Sequence, residues 1–337
     1  LTAKTDPYHL RILKREEYPL WDDFVAERYP GLVFARTSWL ASVSSVSGAD
    51  WGVLAFFRGE ELAGGLPLHI LSRYGCKMLV PPPYTPYSGF LFHHSSERPE
   101  KQELERQGLS ASLTGDLGRR FDFCLLATPP GFADLRPFYR NGWKARVLYT
   151  YILKLTSEEE LRSRLDSAVK NKLNKAERHS VTVEEEENAS LFFPLWEKSL
   201  TRQGQRPLLT ARRFGDLFAD LRRANKVRLF VARLGENAVA SRIAVVDPPT
   251  VYDWLAGADP NYFKTGANQL LLWEMLKEFR EEGFSHFDFC GANLPGVADF
   301  KSSFGGELES YYSLGRSFNL KGNIYRWLQG LKRRLTL

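Results

Sequence analysis

Phe121-Asp122-Phe123-Cys124 recurs letter for letter as Phe287-Asp288-Phe289-Cys290. One copy follows the turn Gly118-Arg119-Arg120 and the other Gly283-Phe284-Ser285-His286, and each reads as a short buried strand. A second echo precedes each copy. The apolar run Trp51 to Phe57 leads into Gly59-Glu60-Glu61-Leu62-Ala63-Gly64-Gly65, and Val227 to Leu234 leads into Gly235-Glu236-Asn237-Ala238-Val239-Ala240-Ser241. Strand, tight glycine-centred turn and strand of small residues make a β-hairpin. The order of hairpin, intervening segment and short strand thus occurs twice, which predicts an internal duplication: two tandem copies of one α/β (α+β) unit.

The length agrees. At roughly 150 residues per domain, 337 residues make two domains. The β-prone stretch Trp143 to Leu155 carries the chain from one to the other, giving domains over 1–150 and 151–320 and a terminal segment over 321–337. Helical periodicity covers Glu17–Arg28, Ser38–Ser47, Leu135–Asn141, Glu158–His179, Leu191–Gln203, Ala211–Ala224 and Asn268–Glu282. Ser157 with Glu160 is placed to cap the 158–179 helix. The polar stretch Ser95–Gly108 reads as a surface loop with some helix.

Composition excludes several classes. A content of 43% hydrophobic and 26% charged residues is that of a globular protein. The 23 Phe, 14 Tyr and 8 Trp argue against disorder. The mean hydropathy is −0.33, and no apolar run approaches the ~20 residues of a membrane helix. Cys76, Cys124 and Cys290 lie far apart without a CxxC pair, against a disulfide framework or zinc module and in keeping with a reducing, cytoplasmic setting. The opening residues carry no secretory leader pattern. His93-His94 are adjacent rather than at metal spacing, so no metal site is expected. The net charge of +6 favours anionic partners.

The densest chemistry lies at Phe287-Asp288-Phe289-Cys290-Gly291-Ala292-Asn293-Leu294-Pro295-Gly296 and the following Asp299-Phe300-Lys301-Ser302-Ser303-Phe304-Gly305-Gly306. A buried strand ending in Gly-Ala-Asn lets backbone approach a ligand closely. Pro295 and Gly296 then start a short helix presenting Lys301. A lysine over a strand end neutralises a phosphate or stabilises an oxyanion in acyl transfer; read as an ordinary lysine it is a solvated surface residue.

This stretch resembles the C-terminal "DFxGxN…FKxxFGG" motif of the Fem-type (FemABX) peptidyltransferases and the related FemAB-like acyltransferases of the GNAT (acyl-CoA N-acyltransferase) superfamily. Lys170-Asn171-Lys172-Leu173-Asn174-Lys175-Ala176 is similar to the family's basic helix, and Asn268-Gln269-Leu270-Leu271-Leu272-Trp273 to its "N-x-L-L-W" helix start. The resemblance implies two tandem GNAT-like domains, the first on the acceptor side and the second on the donor side. It implies transfer of an activated acyl group to an amine, with no permanently bound cofactor and aminoacyl-tRNA or acyl-CoA as co-substrate. The acceptor would be an amine-bearing peptidoglycan or other cell-envelope precursor. Lys301 matches the family lysine tied to donor binding and catalysis. Gly266, Asn268, Asp288, Gly291, Asn293 and Phe304 would shape the donor site. Tyr84 and Tyr87, in a loop similar to the family's "P-Y-x-D-Y-G-G" segment, would line the acceptor side, with Lys170, Lys175 and Arg242 on phosphates. Arg242 stands out physically, because an unpaired cation inside a strand is costly.

The chain also departs from the pattern. The acidic residue sometimes proposed as base in the tyrosine loop is Pro86 here, so no carboxylate base carries over. Of the [RQ]-x-x-G-x-[GA] diphosphate motif, only Gly266 matches in Phe263-Lys264-Thr265-Gly266-Ala267-Asn268. The chain passes directly from the 158–179 helix into Val181-Thr182-Val183, so the family's coiled-coil arm is absent. Two alternatives stay open: an acyl-CoA-dependent N-acyltransferase acting on an amino sugar or polysaccharide, and a degenerate GNAT pair that only binds. The basic tail, with Ile324, Trp327, Leu328 and Leu331 on one face, suits either docking on the first domain or peripheral contact with the inner face of the cytoplasmic membrane. The oligomeric state is not encoded in any of these features.

Overall fold

Gly59 and Gly235 open two-residue turns at φ +59° and +58°, the left-handed region that glycine enters without steric cost. Both predicted hairpins close on them, Asp50–Arg58 pairing with Glu61–Arg73 and Val227–Leu234 with Asn237–Asp247.

The computed structural model describes residues 8–132 and 134–335, with side chains through residue 328. In chain order the strands begin with β1 (Tyr8–Ile12), β2 (Asp50–Arg58), β3 (Glu61–Arg73), β4 (Cys76–Leu79), β5 (Leu91–Phe92) and β6 (Phe123–Ala127). They continue with β7 (Lys144–Lys154), β8 (Thr182–Glu186), β9 (Val227–Leu234), β10 (Asn237–Asp247), β11 (Thr250–Ala258), β12 (His286–Asp288) and β13 (Glu307–Ser317). The helices are α1 (Tyr18–Arg28), α2 (Thr37–Ser47), α3 (Pro99–Arg120), α4 (Arg136–Arg140), α5 (Glu158–Arg164) and α6 (Ser167–Arg178). After them come α7 (Phe192–Arg202), α8 (Ala211–Arg223), α9 (Ala267–Glu281), α10 (Pro295–Ser302) and α11 (Leu320–Leu335).

The chain forms two units. The stretch up to Leu148 groups with Ser310 onward, and Tyr149–Glu309 makes the other. The chain leaves the first unit along β7 and re-enters it along β13, so that unit is built from two stretches, where the sequence suggested simple succession.

In the first unit the strand order is β1-β2-β3-β4-β6-β13, with β5 on β3. Its core joins Leu54, Phe56, Leu66 and Leu68 of the hairpin to Leu109, Leu113 and Leu117 of α3. Those three leucines recur every four residues and make one buried helix face. The stretch read as a surface loop is therefore largely the exposed opening of α3, started by Pro99 at its first position. The terminal helix α11 packs on β4 and β6: the Tyr325 ring meets Phe123 at 5.8 Å, and a Cβ on Gly322 would come within 2.0 Å of the Asp122 carbonyl oxygen. Ile324, Trp327 and Leu328 remain exposed, while the Leu331 side chain lies outside the described residues.

In the second unit the order is β7-β12-β11-β10-β9-β8, with β11 and β12 parallel. The first unit has its parallel pair at β4 and β6. Hairpin followed by parallel pair is thus common to both units, but the repeated tetrapeptide is not in one register. The last parallel pairs are Leu79 with Cys124 and Tyr252 with Asp288, a displacement of two residues that keeps each side chain on its own face.

The predicted 158–179 helix is two helices. Ser157 Oγ accepts from the Glu160 N–H, as expected, but α5 stops at Arg164. Asp166 then caps α6 by accepting from the Ala168 N–H at 2.7 Å, and its own N–H donates to the Ser303 carbonyl at 2.9 Å. A capping carboxylate and a tertiary bond at one residue outweigh one more helical turn.

Candidate active site

β11 and β12 pair only over Thr250–Tyr252 against His286–Asp288 and then part. β11 continues along β10 with one extra residue, Trp254, between the pairs Asp253–Ala244 and Leu255–Ile243. A bulge of this kind bends the strand and re-aims its side chains. Past Asp288 the chain turns through Cys290 at φ +53° and Gly291 at φ +97°, and α10 brings Lys301 back over it.

Half-buried Lys301 donates from Nζ to the Gly291 carbonyl at 2.7 Å and also to the Phe289 carbonyl. An ammonium has three N–H donors, so one is left for a ligand. Burial pulls the Lys301 pKa below the ordinary lysine value; Asp253 is the foremost charge opposing that pull, and Arg242 adds to it.

Asp288 holds the turn that receives this lysine. Its Oδ1 accepts from Thr150 Oγ1 at 2.7 Å and from the Cys290 N–H at 2.8 Å, while the Gly291 N–H donates to Thr150 Oγ1 at 3.0 Å. Asn293 accepts the Tyr149 N–H on Oδ1 at 3.0 Å and donates from Nδ2 to the Tyr149 carbonyl at 3.4 Å, standing in for a strand partner. The Cys290 thiol is pushed well up by burial and stays protonated.

Arg242 is 2% exposed and Asp253 3% exposed, with Nη1 donating to Oδ2 at 2.5 Å. Arg242 also donates from Nη2 to Asn268 Oδ1 at 3.0 Å and lies over the Phe300 ring at 5.1 Å. Arg242 Nε and Asp253 Oδ1 are buried without a hydrogen-bond partner among the described residues. The expected unpaired cation therefore has a carboxylate partner, and the carboxylate keeps one oxygen free.

Gly266 stands at the start of α9 with φ +87°, and a Cβ there would lie 2.1 Å from the Lys172 carbonyl oxygen. The Lys172 Nζ donates to the Phe263 carbonyl at 2.9 Å. Thr265 Oγ1 takes the Ala267 N–H at 3.2 Å, and the Gly266 carbonyl takes those of Gln269 and Leu270. The turn at Gly266 therefore packs directly against the backbone of α6.

Six sequence-derived residues therefore come together: Lys301, Asp288, Gly291, Asn293, Asn268 and Arg242. Phe304 is 0% exposed and packs against Phe289 and Phe300, so it supports the floor of the site and does not face a donor. Tyr87, expected to line a groove, is 1% exposed in the first unit, edge-on to Phe34 and Tyr311. Tyr84 is half-buried in the same Pro-rich loop, at φ +55°. Lys170 and Lys175 lie on α6, Lys170 reaching back to the Ser163 carbonyl at 3.3 Å. Sequence reasoning missed Thr150 and Asp253. The signal for Asp253 was present: a carboxylate inside the apolar strand Thr250–Ala258, the same anomaly that singled out Arg242.

Residues 163–302 match the acetyltransferase (GNAT) domain family. No curated protein matches the chain at a significant level. Among solved structures, FemX superposes with a TM-score of 0.70 at 14% identity, covering 95% of this chain and 99% of that one. The C-terminal domain (DUF2156) of a putative lysylphosphatidylglycerol synthetase from Agrobacterium fabrum gives 0.57 at 12% identity, covering 93% and 96%. A tandem GNAT protein from the clavulanic acid biosynthesis pathway gives 0.55 at 10% identity, covering 93% and 99%. At these identities the likeness shows the fold: two tandem GNAT domains.

Proposed function

We propose that this chain, an acyltransferase with the FemAB-like tandem GNAT fold, moves an aminoacyl group from aminoacyl-tRNA to the primary amine of a peptidoglycan or other cell-envelope precursor. The observation that carries the reading is Lys301, held on the Phe289 and Gly291 carbonyls with one N–H unspent. Amine attack on an ester carbonyl builds a tetrahedral oxyanion, and a fixed cation at that oxygen stabilises the transition state more than the substrate. The amine nitrogen bonds to the acyl carbon, the ester C–O bond breaks, and the leaving tRNA hydroxyl ends with one proton.

The donor assignment is supported by the partial diphosphate motif at Gly266 and by the charge of α6. The diphosphate motif is reduced to Gly266, with the Lys172 backbone packed directly against it, whereas the basic helix α6, with Lys170 and Lys175, suits the phosphates of a tRNA end. The match to an acetyltransferase-domain family favours acyl-CoA instead and defines the second reading. A membrane-side acceptor is supported by α11. Its exposed Leu320, Ile324, Trp327 and Leu328 share a face, and residues 318–337 carry five cations and no acid. Among the described residues no helix is long and apolar enough to cross a membrane.

The test is a transfer assay pairing aminoacyl-tRNA or acyl-CoA donors with muropeptide or amino-sugar acceptors. Amide formation from aminoacyl-tRNA, lost in Lys301→Ala, is the expected result. Transfer from acyl-CoA alone would establish the second reading, and no transfer from either donor would remove the enzymatic one.

A further inference from the structure

We infer that Asp253 takes the proton from the attacking amine, a role that rests on the acyl-transfer reading above. Asp253 lies one residue past the last β11–β12 pair, at the point where the strands part and where Lys301 reaches the carbonyls beyond Asp288. One carboxylate oxygen is committed to Arg242, and the other is buried with no partner among the described residues. Leaving a buried charged acceptor unmatched is costly, and a substrate N–H would match it. Arg242 is itself held by Asn268 and the Phe300 ring, so the free oxygen has a fixed direction.

The neighbouring groups are unsuited to the task. Asp288 spends Oδ1 on Thr150 and the Cys290 N–H, and Cys290 stays a neutral thiol. Asp253 is also the foremost charge opposing the effect of burial on Lys301, so the carboxylate and the cation lie within electrostatic reach of each other. One polarises the carbonyl and the other receives the N–H.

The step balances without a co-reactant. The amine nitrogen bonds to the acyl carbon while the carbonyl electron pair moves onto the oxygen beside Lys301. The proton made acidic on that nitrogen passes to Asp253 Oδ1. Collapse re-forms the carbonyl and expels the leaving oxygen, which takes the proton from Asp253 and regenerates the carboxylate.

The experiment compares the wild-type chain with Asp253→Asn in transfer to primary amines of graded basicity, with donor affinity measured in parallel. A positioned base contributes about 10²–10⁴-fold, so kcat falls by that factor, donor Kd is unchanged, and the dependence of rate on amine basicity changes slope. Full activity in Asp253→Asn, or a drop by one common factor for every amine, overturns the inference and leaves the acyl-transfer reading standing. A wild-type chain that acylates no amine overturns that reading and this role with it. If Asp253→Asn does not fold, the double variant Arg242→Gln/Asp253→Asn, which has no unpaired charge, is compared with Arg242→Gln alone. A changed slope on removing the carboxylate supports the role, and equal rates overturn it.

Discussion

Lys301 Nζ and the Gly291 carbonyl oxygen lie 2.7 Å apart, joining the last turn of α10 to the loop that leaves β12. The loop is held from the other side, because the Gly291 N–H donates to Thr150 Oγ1 and the Thr150 hydroxyl donates to Asp288. A lysine side chain ordinarily keeps ~2 kcal/mol of rotamer entropy. Here that freedom is given up in advance, so the remaining N–H is aimed before any substrate arrives.

Lys301→Ala should lower kcat by about 10²–10³-fold, the usual effect of removing one oxyanion donor. Lys301→Arg should not restore it, since a planar guanidinium fits neither the two carbonyls nor the space between them. Only the protonated amine stabilises an oxyanion, and burial lowers the Lys301 pKa. Raising the pH removes that proton, so the rate should decline at a pH below the ordinary lysine value of ~10.4. A pH profile of kcat checks this, and the residual activity of Lys301→Ala should lack the alkaline limb.

Arg242 and Asp253 form a buried pair whose halves cannot be removed singly at low cost. Arg242→Ala should destabilise the chain by about 3–5 kcal/mol, because it leaves Asp253 charged and buried. Arg242→Met combined with Asp253→Leu should recover most of that loss while abolishing transfer. Urea unfolding of the single and double variants measures both effects.

The duplication was legible because a hairpin needs few signals: an apolar run, a glycine at the turn and small residues after it, present at both Gly59 and Gly235. Lys301, Asp288 and Gly291 were legible because they lie within one contiguous stretch. What escaped was decided at long range. The break at Asp166 depends on a bond to Ser303, far along the chain, and periodicity alone runs straight through it. The burial of Tyr87 depends on Phe34 and Tyr311, neither of them its sequence neighbour. Asp253 was marked by its place in an apolar strand, but its partner Arg242 comes from the neighbouring strand, and the bulge at Trp254 that sets their approach leaves no signal in the sequence.

Gly266→Ala tests whether the seam between α6 and the start of α9 is closed. An alanine there meets the Lys172 carbonyl oxygen at 2.1 Å and must also hold φ +87°. Left-handed backbone alone costs about 1–2 kcal/mol. Gly235→Ala supplies the comparison, since at φ +58° nothing lies within 4 Å of its Cβ and only the backbone cost applies. Gly266→Ala should therefore be the more destabilising in thermal unfolding, with hydrogen exchange accelerated in α6.

α11 uses one face to dock and leaves another exposed, and the two are separable by mutation. Tyr325 and Gly322 contact β6 and the residues just before it, whereas Trp327, at 64% exposure, points away from the core with Ile324 and Leu328. Vesicles containing phosphatidylglycerol should therefore bind the chain, and vesicles of phosphatidylcholine alone should not. Each basic residue near an anionic surface contributes ~1 kcal/mol. Replacing Lys321 and Arg326 by Gln should thus weaken binding by roughly 30-fold, with the remainder falling as salt is raised. Trp327→Ala should weaken it with little salt dependence, because the loss is of apolar contact. Neither change should alter thermal unfolding, whereas Tyr325→Ala should lower stability. Equal binding to both vesicle types in cosedimentation would remove the membrane from the account of α11.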